Sequence, residues 1–94
     1  MAGDKKTVFR EFTVLNKYGI HARPAALLVK AAGKFSSEIF IGRKGMEVSA
    51  KSIMGLLTIE GHHGARITVR VVGLDAEEAL AAIAALFENK FFEE

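Results

Sequence analysis

The run Gly19-Ile20-His21-Ala22-Arg23-Pro24-Ala25 sets one histidine directly ahead of a helix start, with arginine and proline in the first turn. That spacing describes an anion site. The first N–H groups of a helix have no partner inside it and sit at the positive end of its dipole, so a phosphate oxygen can bind them. Ala22 and Arg23 offer such amides. Pro24 fixes φ in the first turn and holds the direction of the amides before it. Imidazole is the side chain whose charge ordinarily changes close to neutrality, so a neutral, nucleophilic ring is available at cytosolic pH. A phosphoryl group on the δ1 nitrogen of His21, the one nearer the backbone, would hang over the helix start, with the ε2 nitrogen pointing outward. Arg23 adds a planar, permanently charged fork that matches phosphoryl oxygens better than a lysine would.

Rival chemistries find less support. The chain has no cysteine, which removes disulfides, thiolate catalysis, iron–sulfur clusters and Cys-containing zinc sites together. His62-His63 are neighbours in a loop, a poor arrangement for binding one ion, and no third ligand is marked, so neither metal nor cofactor is assigned. Gly33-Lys34-Phe35-Ser36 fails as a phosphate loop because Leu28 stands where that loop needs glycine and Phe35 where it needs serine or threonine. A net charge of +2 is too small to argue for nucleic acid. A nucleic-acid-binding sheet would also show exposed Tyr or Phe interleaved with Arg, where the wet strand face here offers Arg66, Thr68 and Arg70. The sequence pI near 9 suits an acidic protein partner instead.

The elements that position these residues follow from periodicity. Phe12 and Val14 alternate with Glu11, Thr13 and Leu15 until the loop-forming Asn16-Lys17-Tyr18-Gly19, which marks a strand. Ala25, Leu28, Val29 and Ala32 form a helical stripe that stops at Gly33. Glu38–Ile41 and Met46–Val48 flank Gly42-Arg43-Lys44-Gly45 as a hairpin. A short helix runs over Ile53–Ile59, and Ser52 ahead of it is a favoured N-cap type. Ile53 and Met54, adjacent at its start, cannot both face inward, and an exposed Met is an adaptable contact for partners. Arg66–Val71 alternate as a strand with one packed and one wet face. Asp75 with Glu78 has the form of a capping box, followed by Leu80, Ile83, Phe87 and Phe91 at helical spacing.

The order β-α-β-β-α-β-α predicts an α+β fold in which three helices cover one face of a four-stranded antiparallel sheet. Residues 1–94 make a single domain, with residues 1–6 a flexible tail. Arg10 and Glu11 interrupt any signal-peptide pattern, and the apolar stretch Ala79–Phe87 is less than half the roughly 20 residues a membrane span needs. Neither insertion into a membrane nor secretion is expected, which leaves the cytoplasm.

The two runs Gly19–Ala25 and Lys51-Ser52-Ile53-Met54-Gly55 together resemble the HPr family, the phosphocarriers of the bacterial phosphoenolpyruvate-dependent sugar phosphotransferase system. The likeness extends from about Thr7 to Phe91. It implies an open-faced β-sandwich, a phosphoryl group accepted on His21 from enzyme I and passed to enzyme IIA, and Arg23 as the electrostatic partner. It also implies Ser52 as the target of a regulatory HPr kinase/phosphorylase, and a carrier rather than an enzyme. The apolar pair Ile53 and Met54 is the expected partner contact, and a monomer is the expected state. A nitrogen-related or regulatory paralogue would keep His21 and serve other partners. Two positions depart from familiar members. Tyr18 replaces a small polar residue able to bond the phosphate, and Glu60 replaces a small residue near the end of the second helix.

Overall fold

Four strands, β1 (Lys6–Thr13), β2 (Glu38–Arg43), β3 (Met46–Ser49) and β4 (Arg66–Gly73), alternate with three helices, α1 (Ala22–Ala32), α2 (Ile53–Thr58) and α3 (Ala76–Glu88), in the expected order. The structure, a computed structural model, describes residues 6–93. All strand pairs are antiparallel, in the spatial order β1-β4-β2-β3. In β4 the period-two pattern is complete: Ile67, Val69 and Val71 are fully buried, while Arg66, Thr68 and Arg70 face the open side. Ile39 and Ile41 of β2 join the same core layer, which α1 and α3 close with Ala25, Leu28, Ile83 and Phe87. Among the described residues no helix is long and apolar enough to cross a membrane.

Several sequence expectations shift. Lys6, assigned to the tail, opens β1 opposite Gly73, and its Nζ lies 3.0 Å from a Glu77 carboxylate oxygen. Residues 1–5 of that tail lie outside the described residues. β1 is an edge strand whose only buried residue is Phe12, so the alternation signal covers just its end. The hairpin loop is shorter than expected, because Gly42 and Arg43 still pair with Glu47 and Met46. Lys44 and Gly45 alone make the turn, with φ of 51° and 82°, the left-handed pair whose twist matches the strands.

The capping box is not formed. The Asp75 carboxylate makes no bond to its own helix and instead accepts from the backbone N–H of Ser36 at 3.0 Å and of Ser37 at 2.9 Å. The Ser37 hydroxyl donates to it as well. These bonds, that of the Ser37 side chain foremost, hold the Asp75 carboxyl down at about 2. Phe91 also leaves the expected helix. α3 ends at Glu88, and Phe91 returns to the core through a 3₁₀ turn (Lys90–Phe92), packing edge-on against Phe87 with ring centroids 4.9 Å apart.

The wet face carries more than the expected Arg66, Thr68 and Arg70. Phe9 and Phe40 flank Arg70 in one row across the sheet, and the Arg70 guanidinium lies 4.3 Å from the Phe40 ring centre. Both arginines are nevertheless engaged: Arg70 grips Glu47 with bonds of 2.9 and 2.8 Å, and Arg66 pairs with Glu11.

Candidate functional site

Gly19 decides how the chain enters α1. Its φ of +68° belongs to the left-handed region, and a Cβ there would overlap the Gly61 carbonyl oxygen and lie 2.8 Å from the His62 Cα. The close approach lets the Ile20 N–H donate to the Gly61 carbonyl at 2.7 Å, which fastens the entry loop to the loop after α2. Ile20 is buried beside it.

His21 is the N-cap residue of α1. Its carbonyl accepts the first helical bond, from the Ala25 N–H at 3.0 Å, so the amides of Ala22 and Arg23 precede the intrahelical ladder as expected. The imidazole makes no cap bond. Where the sequence reading had Nε2 pointing outward, Nε2 instead lies 3.1 and 3.0 Å from the two carboxylate oxygens of Glu93. The Arg23 Nη1 lies 3.7 Å from the same carboxylate.

Asn16, fully buried, completes the cluster. Its Nδ2 donates to the Gly19 carbonyl at 2.7 Å and to Glu93 Oε1 at 3.0 Å, while its Oδ1 has no partner among the described residues. Burial pushes the Glu93 carboxyl up, but bonds from His21 and Asn16 and the charges of His21 and Arg23 outweigh it, leaving it below the ordinary carboxylate range. Sequence reasoning missed both residues. Asn16 was read only as a loop former, and no periodicity or spacing marks Glu93.

Tyr18 stands exposed with its ring edge-on to that of His21, centroids 6.3 Å apart, and Lys17 lies over its face. Together with Ile20, Glu60, Gly61 and His62, these two rings line a shallow depression of about 380 Å³. Glu60 resolves where the second helix ends. α2 stops at Thr58 with Ile59 as its cap, and Glu60 then takes a left-handed φ of 57° that glycine would adopt at less cost.

Ser52 caps α2 as its residue type suggested, its Oγ accepting the Gly55 N–H at 3.1 Å. Ile53 and Met54 are both exposed, and Leu57 adds a third apolar side chain to that surface. These residues sit on a helix that packs against α1; among the described residues no hydrogen bond joins Ser52 to His21 or Arg23.

The family model described as "PTS HPr component phosphorylation site" matches residues 8–89. The chain belongs to the HPr family. It is 47% identical over 87 residues to the phosphocarrier protein HPr of Treponema pallidum (strain Nichols), covering 93% of this chain and 99% of that one. The crystal structure of HPr-C-His from Thermoanaerobacter tengcongensis superposes with a TM-score of 0.85 at 45% identity, over 95% of this chain and 98% of that one. A crystallised HPr dimer from the same organism matches with a TM-score of 0.73 at 44% identity, over 85% and 92% of the two chains. Membership assigns the chain to the phosphocarriers of the phosphotransferase system and confirms the open-faced sandwich; it does not impose a monomer.

Proposed function

We propose that His21 accepts a phosphoryl group from phosphorylated enzyme I and passes it to an enzyme IIA domain in the cytoplasm. One observation carries the reading: an imidazole at a helix entrance that spends no bond on capping, beside the first amides of Ala22 and Arg23, which have no partner among the described residues. The Nδ1 lone pair attacks the phosphorus of the donor's phosphohistidine. A new N–P bond forms as the donor's breaks, and that electron pair returns to the donor nitrogen. The second transfer repeats the exchange with His21 as donor. Nothing is turned over, so the chain is a stoichiometric carrier and not an enzyme.

Arg23, 62% exposed, is free to swing its guanidinium to the phosphoryl oxygens. Ile53 and Met54 supply an apolar contact for both partners, and Ser52 is the site for a regulatory kinase. Binding of nucleic acid through the open face is disfavoured, because Arg66 and Arg70 already hold Glu11 and Glu47.

Incubation with phosphoenolpyruvate, magnesium and enzyme I should add one phosphoryl group that acid removes and alkali does not. His21→Ala should abolish it without loss of fold. Acid-labile phosphate retained in that variant would refute the site.

A further inference from the structure

We infer that Glu93 is a positioning residue for His21: its carboxylate holds the proton on Nε2 and so keeps the lone pair of Nδ1 turned to the incoming phosphoryl group. The inference rests on the carrier reading above and adds to it a residue outside the histidine motif.

An ionised carboxylate has acceptors only, so the ring nitrogen facing it must carry hydrogen. Glu93 faces Nε2 with both oxygens, at 3.1 and 3.0 Å. A neutral imidazole bears one ring proton, and placing it on Nε2 leaves Nδ1 unprotonated. The carboxylate is itself fixed from behind by the buried Asn16 amide at 3.0 Å. Arg23, at 3.7 Å, lies beyond a hydrogen bond and stays available to phosphoryl oxygens.

The backbone shows that this contact is built rather than incidental. Lys90, Phe91 and Phe92 take consecutive left-handed φ values of 53°, 53° and 60°, a conformation that residues with a Cβ avoid. Such a run persists only where the surroundings over-determine it. Here the fully buried Phe91 ring anchors the turn against Phe87, and the turn delivers Glu93 to the start of α1, 72 positions away in sequence.

During transfer the arrangement requires no proton movement. When Nδ1 takes the phosphorus, the ring becomes a phosphoimidazolium that keeps its Nε2 hydrogen, and Glu93 accepts from that N–H and offsets the ring's positive charge. When the phosphoryl group leaves, the N–P electron pair returns to Nδ1 and the ring is neutral again. The general form is that of a carboxylate holding a histidine in one tautomer and orientation while the other nitrogen does the chemistry.

The test combines ¹⁵N NMR of the His21 ring with the rate of phosphoryl acceptance from enzyme I, in the full chain and in Glu93→Ala and Glu93→Gln. The wild type should show a slowly exchanging Nε2–H signal. Glu93→Ala should lose it and accept phosphoryl about tenfold more slowly, by analogy with the low end of the loss when the outer carboxylate of a metal-ligating histidine is removed. Glu93→Gln, whose amide oxygen can still accept, should restore the signal and part of the rate. An unchanged ring spectrum in Glu93→Ala would overturn the inference, as would an equal or faster rate; labelling of His21 in those same samples would leave the carrier reading standing. Failure of labelling in the wild type would instead sink the carrier reading, and the NMR signal would still report on the contact.

Discussion

Gly19→Ala is the substitution whose cost the structure prescribes most directly. The new methyl group would meet backbone on the facing loop, the Gly61 carbonyl and the His62 Cα at 2.8 Å, where no flexible side chain can give way. Holding alanine at a left-handed φ costs about 1–2 kcal/mol, and forcing a group into filled space adds roughly 1–3 kcal/mol. The total is about 2–5 kcal/mol. For a domain of this size each kcal/mol moves Tm by about 4–8 °C, so a fall of at least about 8 °C is expected. Gly45→Ala is the matched control. Its φ is +82° and nothing lies within 4 Å of the added carbon, so only the backbone cost applies. Thermal and urea unfolding of the two variants, followed by circular dichroism, isolates the clash as their difference. Below its Tm, Gly19→Ala should also accept phosphoryl more slowly than Gly45→Ala, because the Ile20 to Gly61 bond that sets the entry to His21 must lengthen. Equal destabilisation of the two variants would refute the close approach.

Ser52→Asp should keep the wild-type Tm, since aspartate caps a helix as well as serine does, yet slow acceptance from enzyme I in a way that added salt relieves; unchanged acceptance at low salt would leave Ser52 a cap alone. Phe91→Ala should cost about 3–5 kcal/mol in urea unfolding, because the ring is fully buried, and a loss below about 1 kcal/mol would show the turn to be unanchored. Asp75→Asn tests an acid-sensitive bond: the folded carboxyl sits at about 2 against an ordinary 3.8, so its stabilisation is present above about pH 4 and is lost as pH falls toward 2. The stability gap between wild type and Asp75→Asn should therefore narrow over that interval, and a constant gap would remove the carboxylate's role.

How much of this was legible in the sequence depends on the range of the forces involved. β4 was read correctly because both its neighbours and the helices above it impose period two along its whole length, whereas β1, paired on one side only and largely exposed, shows its pattern only at Phe12 and Val14. Asp75 was read as a cap because a capping box is a local rule. Its bonds to Ser36 and Ser37 are a tertiary alternative, almost forty positions distant, that no local rule sees. Phe91 fitted the helical stripe of α3 and is indeed buried, but by a chain reversal instead of another turn of helix.

The site divides along the same line. His21, its amides, Arg23 and the Ser52 cap lie within short motifs, where residue type and spacing set the local backbone, and the structure has His21 as the N-cap of α1 and Ser52 as the N-cap of α2. Glu93 and Asn16 belong to no motif. Their positions relative to His21 depend on where α3 ends and on which hand the next three residues turn, and the sequence carries no glycine there to signal a left-handed step. The ring nitrogen that sequence reasoning left facing solvent is therefore the one the fold engages. On the reading proposed for His21, the two ring nitrogens must differ in role, and the contact inferred for Glu93 would then select the atom that reacts while the local motif supplies only the residue.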